Sequence, residues 1–118
     1  MATILIVDDS RTSRKILRDL LEKSGHTVVG EAVNGEEGIA KYKELHPDIV
    51  TMDITMPVLD GIEALKLIME DNSSAKVIMV TAAGQKNKMM ESVKFGAIDF
   101  IAKPFELDQI SLIINKAL

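Results

Sequence analysis

The chain has 118 residues, which predicts one domain spanning residues 1–118 that is large enough to bury a core without disulfides or structural metals. Cysteine is absent, so disulfides, thiolate metal sites and cysteine nucleophiles are all excluded. The net charge of −4 argues against a nucleic-acid binder, and no apolar run could cross a membrane or direct secretion, so we expect a soluble, cytoplasmic protein.

Five short segments have the character of buried β-strands, since they are rich in β-branched residues and nearly continuous in apolar character. They are Thr3–Val7, Thr27–Ala32, Ile49–Met52, Val77–Val80 and Ile98–Ala102. Two adjacent aspartates, Asp8 and Asp9, directly follow the first strand. A strand suited only to burial that ends in two like charges suggests a functional edge of the sheet.

The segments between the strands have apolar residues at helical spacing. The predicted core stripes are Ile16, Leu17, Leu20 and Leu21 in Ser13–Lys23; Met89, Val93 and Phe95 in Asn87–Gly96, with Met90 exposed; and Leu107, Ile110, Ile113, Ile114 and Ala117 in Leu107–Leu118. Five strands alternating with five helices predict an α/β fold: a doubly wound, five-stranded parallel sheet between two helical layers.

Polar residues follow four of the predicted strands, at the edge where open α/β sheets form their sites. Asp8 and Asp9 follow the first strand, Asp53 the third, Thr81 the fourth and Lys103 the fifth. Any one of these residues could be a helix cap or a turn former. Their occurrence together at one edge predicts a functional site.

Three carboxylates at one edge need a positive partner, because two of them 4 Å apart repel by about 4 kcal/mol at an effective dielectric constant near 20. Without a cation, the pKa of one carboxyl group should rise. His26 and His46 lie in helix-to-strand connections, away from this edge. The available ligands are therefore oxygen atoms, which suit Mg²⁺ and do not suit zinc.

A magnesium ion beside a lysine is suited to holding a phosphoryl group. Asp53 ends the central strand, so it is the best candidate for a nucleophile that forms an acyl phosphate. Asp8 and Asp9 are better placed to hold the metal. Thr81 could donate its hydroxyl to a phosphate oxygen, and Lys103 could pair with another.

These motifs resemble the receiver domain of two-component response regulators. The resemblance is carried by the pair Asp8-Asp9, the stretch PDIVTMDITMPVLDG around Asp53, VTA with Thr81, and AKPF with Lys103. It extends over essentially the whole chain, with the motifs in the expected order. It implies a flavodoxin-like three-layer αβα fold with strand order 2-1-3-4-5.

The resemblance also implies a role for each residue of the edge. Asp53 would accept phosphate from a phosphohistidine of a sensor histidine kinase. Asp9, Asp53 and the backbone carbonyl of Thr55 would ligate Mg²⁺, with Asp8 assisting directly or through water. Lys103 would contact the phosphoryl group, Thr81 would move towards it, and Phe100 would turn inwards behind Thr81.

Two departures from the family pattern concern the switch and the lifetime of the phosphate. Phe100 stands where chemotaxis members usually have tyrosine, and without a hydroxyl group we expect it to favour the buried position even before phosphorylation. Thr55 and Ala83 occupy positions that vary in the family and tune the lifetime of the phosphate.

Two other functions are compatible with parts of the sequence. An aspartyl-phosphate phosphatase of the haloacid dehalogenase type would need an acidic residue two positions after the nucleophile, where this chain has Thr55. A flavin-binding electron carrier could use Ser10, Thr12 and Ser13 around phosphate. Asp8 and Asp9 would repel that phosphate, and a content of 3% aromatic residues leaves little to hold a flavin ring.

We expect a signalling protein rather than an enzyme, acting as a monomer through protein docking. The motif TMDITMP favours the chemotaxis type, whose partner is a flagellar motor switch protein. The alternative is a phosphorelay in which a histidine phosphotransfer protein receives the phosphate. Arg11 and Arg14 border the acidic edge, where either simple solvation or recognition of a kinase would explain them.

Overall fold

The computed structural model describes all 118 residues and contains five β-strands that alternate with five α-helices. The strands are β1 (Thr3–Val7), β2 (Thr27–Ala32), β3 (Ile49–Asp53), β4 (Val77–Thr81) and β5 (Asp99–Ala102). The helices are α1 (Arg11–Lys23), α2 (Gly35–Leu45), α3 (Gly61–Asp71), α4 (Lys86–Lys94) and α5 (Leu107–Ala117). None of the helices has the length and apolar character needed to cross a lipid bilayer.

All five strands run parallel in one sheet of order β2-β1-β3-β4-β5. At its centre β1 lies beside β3, with Ile4 opposite Ile49 and Val7 opposite Met52. The chain forms β2 on one side of β1 and then returns to build the other three strands on the opposite side. The strand order therefore reverses between β1 and β3, which is where sheets of this kind leave a crevice for a site. The predicted doubly wound α/β fold is confirmed.

Helices cover both faces of the sheet because neighbouring side chains of a strand point to opposite sides. On one face Leu5 and Val7 pack with residues of α2 and α3, and Met89 of α4 lies against the same cluster. On the other face Ile4 and Ile6 pack with residues of α1 and α5. With both faces covered, the carboxyl ends of the strands are a natural place for polar functional groups.

Two strands extend one residue further than the sequence predicts, to Asp53 in β3 and Thr81 in β4. The backbone N–H of Ile54 donates to the carbonyl of Val80 over 3.2 Å, and that of Lys103 donates to the carbonyl of Thr81 over 2.8 Å. Polar residues at the end of an apolar run resemble the start of a loop, so the sequence pattern predicts that both strands end one residue earlier. The sheet therefore fixes the backbone at both functional positions.

Side-chain caps set where three helices begin. Ser10, Asn34 and Asp60 each accept a hydrogen bond from the backbone N–H three residues later. Because Ser10 is a cap, α1 begins at Arg11, two residues before the predicted start at Ser13. Smaller differences occur elsewhere: Ile98 is excluded from β5, and α5 ends at Ala117 rather than Leu118.

Three side chains predicted to face the core are exposed instead, namely Ile16, Val93 and Leu107. In α4 the buried position belongs to Ser92, whose hydroxyl donates to the carbonyl of Lys88 over 2.9 Å. A satisfied hydroxyl can lie in a core at little cost, so the apolar spacing alone gave the wrong face for Val93. Met90 is exposed, as predicted.

Candidate functional site

The polar residues predicted to form a site all lie at the carboxyl edge of the sheet. Carboxylate oxygens of Asp8, Asp9 and Asp53 lie within 4.8 Å of one another. The ammonium nitrogen of Lys103 lies 3.2 Å from Oδ2 of Asp8 and 3.9 Å from Oδ2 of Asp53. Thr81 is buried at the end of β4, next to β3. We call Asp8, Asp9, Asp53 and Lys103 the acidic rim.

The three carboxylates differ in their contact with solvent. Asp8 and Asp53 are only 2% and 8% exposed, whereas Asp9 is exposed. Two buried carboxylates thus share one lysine, so the acidic rim is short of positive charge. An additional cation would relieve this deficit.

Burial and charge together raise the pKa of Asp53 to about 7. Desolvation is the largest cause, and repulsion from Asp8 adds to it. The positive charge of Lys103 lowers the pKa, and the hydrogen bond from the backbone N–H of Ile54 lowers it as well. Repulsion from Asp9 raises it further. The predicted rise in the pKa of one of the three carboxyl groups is confirmed in direction. Without a bound cation, the carboxyl group of Asp53 is therefore protonated more readily than that of an ordinary aspartate.

Asp8 is held in one orientation by its neighbours. Its Oδ1 accepts a hydrogen bond of 2.8 Å from the backbone N–H of Ser10, which leaves Oδ2 facing Lys103. Nη1 of Arg14 donates to the backbone carbonyl of Asp8 over 2.8 Å, and Nε of Arg14 pairs with Glu31 at 3.0 Å. Arg14 is thus a support for the end of β1 rather than a free surface charge. In the sequence, only the proximity of Arg14 to the edge hints at this contact.

The loop after β3 packs closely against the backbone of Asp53. A Cβ atom at Gly61 would lie 1.9 Å from the carbonyl oxygen of Asp53, so no larger residue fits there. In the same loop the N–H of Leu59 donates to the carbonyl of Pro57 over 2.8 Å, with Val58 between them at a φ of 70°. This is a γ-turn with positive φ, which is rare and strained for a β-branched residue.

The remaining predicted residues lie beside the acidic rim. Thr55 is exposed, and its hydroxyl accepts a hydrogen bond of 3.0 Å from Nε2 of Gln85. Phe100 is half-buried on β5, where it packs against the core cluster that includes Met79. The Lys103–Pro104 peptide bond is cis. Sequence reasoning missed Gln85, which carries no motif signal of its own.

The donor set fits a hard divalent cation that prefers oxygen ligands. The predicted position of both histidines is confirmed: His46 caps α2 just before β3, and His26 lies just before β2, so both are at the amino ends of strands. The acidic rim therefore presents carboxylate oxygens and no imidazole or thiolate, which suits Mg²⁺ and not zinc. No residue of the acidic rim lines any of the surface concavities.

Comparison with known proteins decides the family. A family model described as the response regulator receiver domain matches residues 4–115. The chain belongs to this family. The resemblance stated from the sequence motifs is therefore confirmed.

The relatives and the similar structures indicate which type of receiver domain this chain is. The chain is 50% identical over 113 residues to the chemotaxis protein CheY of Thermotoga maritima, covering 96% of this chain and 94% of that protein. It is also 50% identical over 115 residues to the chemotaxis protein CheY of Bacillus subtilis, covering 98% and 96% of the two chains. A solved CheX-CheY-BeF3-Mg complex from Borrelia burgdorferi is similar with a TM-score of 0.91 and 38% identity, covering 97% of this chain and 87% of that one.

These similarities make the chain a receiver domain of the chemotaxis CheY type. Receiver domains of this type are signalling domains rather than classical enzymes, which agrees with the expectation from the sequence. Neither the phosphatase nor the flavin carrier is supported by these relatives.

Proposed function

We propose that the protein is a phosphorylation-activated switch in which Asp53 accepts a phosphoryl group from a phosphohistidine of a sensor histidine kinase. The observation that carries the proposal is the charge imbalance of the acidic rim: three carboxylates lie within 4.8 Å of one another, and Lys103 pairs with two of them, Asp8 and Asp53. Such a group of charges is costly in the resting protein and well suited to a cation together with a phosphoryl group.

Asp53 is the proposed nucleophile because it ends the central strand and its backbone is fixed by β4 and Gly61. One of its carboxylate oxygens bonds to phosphorus as the phosphorus–nitrogen bond of the phosphohistidine breaks. The electron pair of that bond stays with the imidazole nitrogen, which then binds a proton. Lys103 lies within reach to balance the charge of the phosphoryl oxygens, and the hydroxyl of Thr81 is available as a donor.

The proposed Mg²⁺ ligands are Asp9, Asp53 and the backbone carbonyl of Thr55, with Asp8 assisting. When bound, Mg²⁺ would supply the positive charge that the acidic rim lacks and would keep Asp53 ionised at neutral pH. The burial of Asp8 and its bond to Ser10 support an assisting role, because one of its two oxygens is already in use.

Thr81 and Phe100 are the proposed switch. Thr81 ends β4 beside the acidic rim, and Phe100 lies next to this strand on β5, opposite Met79. A hydroxyl group that moves towards a phosphoryl oxygen would leave space that Phe100 can fill. In this way a local change in charge would alter the exposed surface of α4, β5 and α5.

Residues 1–118 would act as one receiver domain in the cytoplasm, as a monomer that signals by docking. The CheY relatives support a chemotaxis role in which the phosphorylated protein binds a flagellar motor switch protein. A relay to a histidine phosphotransfer protein is the second candidate, since the same acyl phosphate could be passed on to a histidine.

Labelling with a small phosphodonor tests the proposal. Acetyl phosphate with Mg²⁺ should add the mass of one phosphoryl group to the wild-type protein and none to the Asp53→Asn variant. Asp71→Asn is the matched control, because Asp71 is an exposed aspartate at the end of α3. Equal labelling of all three proteins, or labelling of none, would reject Asp53 as the acceptor.

A further inference from the structure

Gln85, in the loop between β4 and α4, uses both polar atoms of its side-chain amide. Its Oε1 accepts a hydrogen bond of 2.7 Å from the backbone N–H of Ala82, and its Nε2 donates to Oγ1 of Thr55 over 3.0 Å. Thr55 belongs to the loop that follows β3, two residues after Asp53. One side chain therefore connects the loops that follow two neighbouring strands, at the edge of the sheet where Asp53 lies.

The N–H of Ala82 faces this edge because of how the strands alternate. The carbonyl of Val80 points towards β3, where it accepts from the N–H of Ile54, and the carbonyl of Thr81 points the other way, towards β5. Since consecutive residues of a strand direct their backbone groups to opposite neighbours, the N–H of Ala82 points again towards β3. Because β3 ends at Asp53, no residue of that strand lies opposite Ala82.

This N–H makes no backbone hydrogen bond. The carbonyl of Ile54 would be the next in the ladder, but it accepts a hydrogen bond of 2.8 Å from the N–H of Gly61. Gly61 can approach so closely because it has no side chain. The close packing of the loop after β3 thus leaves the N–H of Ala82 available to a side chain or a ligand, and Gln85 occupies it.

The side chain of Gln85 bonds to Ala82 and Thr55 and does not cap α4, the helix that it precedes. The first turn of α4 carries Lys86 and Lys88, at the end where the helix dipole disfavours positive charge. The start of α4 is therefore poorly stabilised by local interactions, and the only side chain placed to cap it is directed towards the site.

We propose, on the basis of the phosphoacceptor function above, that Gln85 is a positioning residue whose amide competes with the phosphoryl group for the N–H of Ala82. In the unmodified protein Gln85 occupies this donor and holds the hydroxyl of Thr55. When a phosphoryl group is present on Asp53, one of its oxygens takes the N–H, because a charged oxygen is a stronger acceptor than an amide oxygen. Gln85 is then released together with the loop that precedes α4.

Beryllofluoride, which mimics the phosphoryl group, provides the first test in the presence of Mg²⁺. Replacement of Gln85 by alanine, or by methionine to keep the length of the side chain, removes the competitor. Both variants should bind beryllofluoride roughly twofold to tenfold more tightly than the wild type, as expected for the loss of one competing hydrogen bond. Gln109→Ala in α5 is the matched control and should leave the affinity unchanged, because Gln109 is an exposed glutamine on another element.

Amide hydrogen exchange in the metal-free protein provides the second test. The N–H of Ala82 should exchange faster in Gln85→Ala than in the wild type, and at the wild-type rate in Gln109→Ala. Unchanged beryllofluoride affinity or unchanged exchange at Ala82 in Gln85→Ala would overturn the proposed competition while the phosphoacceptor function stands. Failure of the wild-type protein to bind beryllofluoride at all would overturn both.

Discussion

The ammonium group of Lys103 lies 3.2 Å from Oδ2 of Asp8, whose side chain is almost completely buried. The same nitrogen is 3.9 Å from Asp53, so one cation is shared by two buried carboxylates. A buried carboxylate left without a partner is costly, because it has lost its water without gaining an opposite charge. Lys103 is therefore expected to contribute to stability as well as to function.

Lys103→Met tests this directly, because methionine keeps much of the apolar stem and removes the charge. In EDTA at pH 8 we expect the free energy of unfolding to fall by about 2 kcal/mol, since a nearly buried ion pair is broken. Urea denaturation measures the change. Lys15→Met is the control: its pair with Asp19 is 3.6 Å long and largely exposed, so its loss should cost about 0.5 kcal/mol or less. A loss for Lys103→Met no larger than that of the control would contradict the account.

Neutralising Asp9 should stabilise the metal-free protein. Asp9 is exposed and adds repulsion at Asp53 without the specific contacts that hold Asp8. Because Asp8 is bonded to Ser10 and paired with Lys103, Asp9→Asn is a better test than a substitution of Asp8. Thermal denaturation in EDTA should show a melting temperature above that of the wild type, while titration calorimetry should show weaker Mg²⁺ binding. A lower melting temperature, or Mg²⁺ binding as tight as in the wild type, would disagree with this expectation.

The raised pKa of Asp53 predicts how stability depends on pH. The pKa of Asp53 is about 7 in the folded protein against 3.8 for an ordinary aspartate, so between these values the folded state binds more protons than the unfolded state. The stability of the metal-free protein should therefore fall as pH rises from about 4 to about 7, and this contribution should level off above that range. The Asp53→Asn variant should lack this component of the pH dependence, which urea denaturation across the range can measure.

Mg²⁺ should weaken the same pH dependence, because a bound cation favours the ionised carboxylate. Its binding should also release protons between pH 6 and 8, with an apparent affinity that rises with pH. Identical pH profiles for the wild type and Asp53→Asn in EDTA would show that Asp53 titrates as an ordinary aspartate.

Much of the site could be predicted from the sequence because it depends on regular features. Parallel strands end at a common edge, so Asp8, Asp53 and Thr81 could be brought together from strand spacing alone. The contacts that support the site could not be predicted in this way. The bond from Arg14 to the carbonyl of Asp8, and the bridge from Gln85 to Thr55, depend on loop conformations that apolar periodicity does not encode.

Side-chain burial in the short helix α4 was the least predictable part of the fold. The apolar character of Val93 predicts a core position, yet the residue is 58% exposed, and Ser92 is buried in its place. A serine that bonds to the carbonyl four residues earlier can lie in a core, so hydrophobicity alone cannot fix the face of a helix with so few apolar residues. The exposed Met90 and Val93 belong to the surface that the proposed switch would alter.

The γ-turn at Val58 gives a prediction that is independent of phosphate chemistry. Val58 has a φ of 70° and is 74% exposed, so its unfavourable backbone conformation is not offset by burial. Asparagine tolerates positive φ without the additional unfolded-state freedom of glycine, so Val58→Asn should raise the free energy of unfolding by about 1 kcal/mol. The control is Val33→Asn, at an exposed valine without positive φ, which should give no gain in urea denaturation. Equal effects of the two substitutions would mean that the turn is not strained.

The most direct test of the central claim is to identify the residue that carries the phosphoryl group. Borohydride reduces an acyl phosphate on aspartate to homoserine, which marks the acceptor permanently and can be located by peptide mass spectrometry. After incubation with acetyl phosphate and Mg²⁺, we expect homoserine at position 53 and unmodified Asp8 and Asp9. Homoserine at position 8 or 9, or none at any position in protein that was fully folded during the incubation, would contradict it.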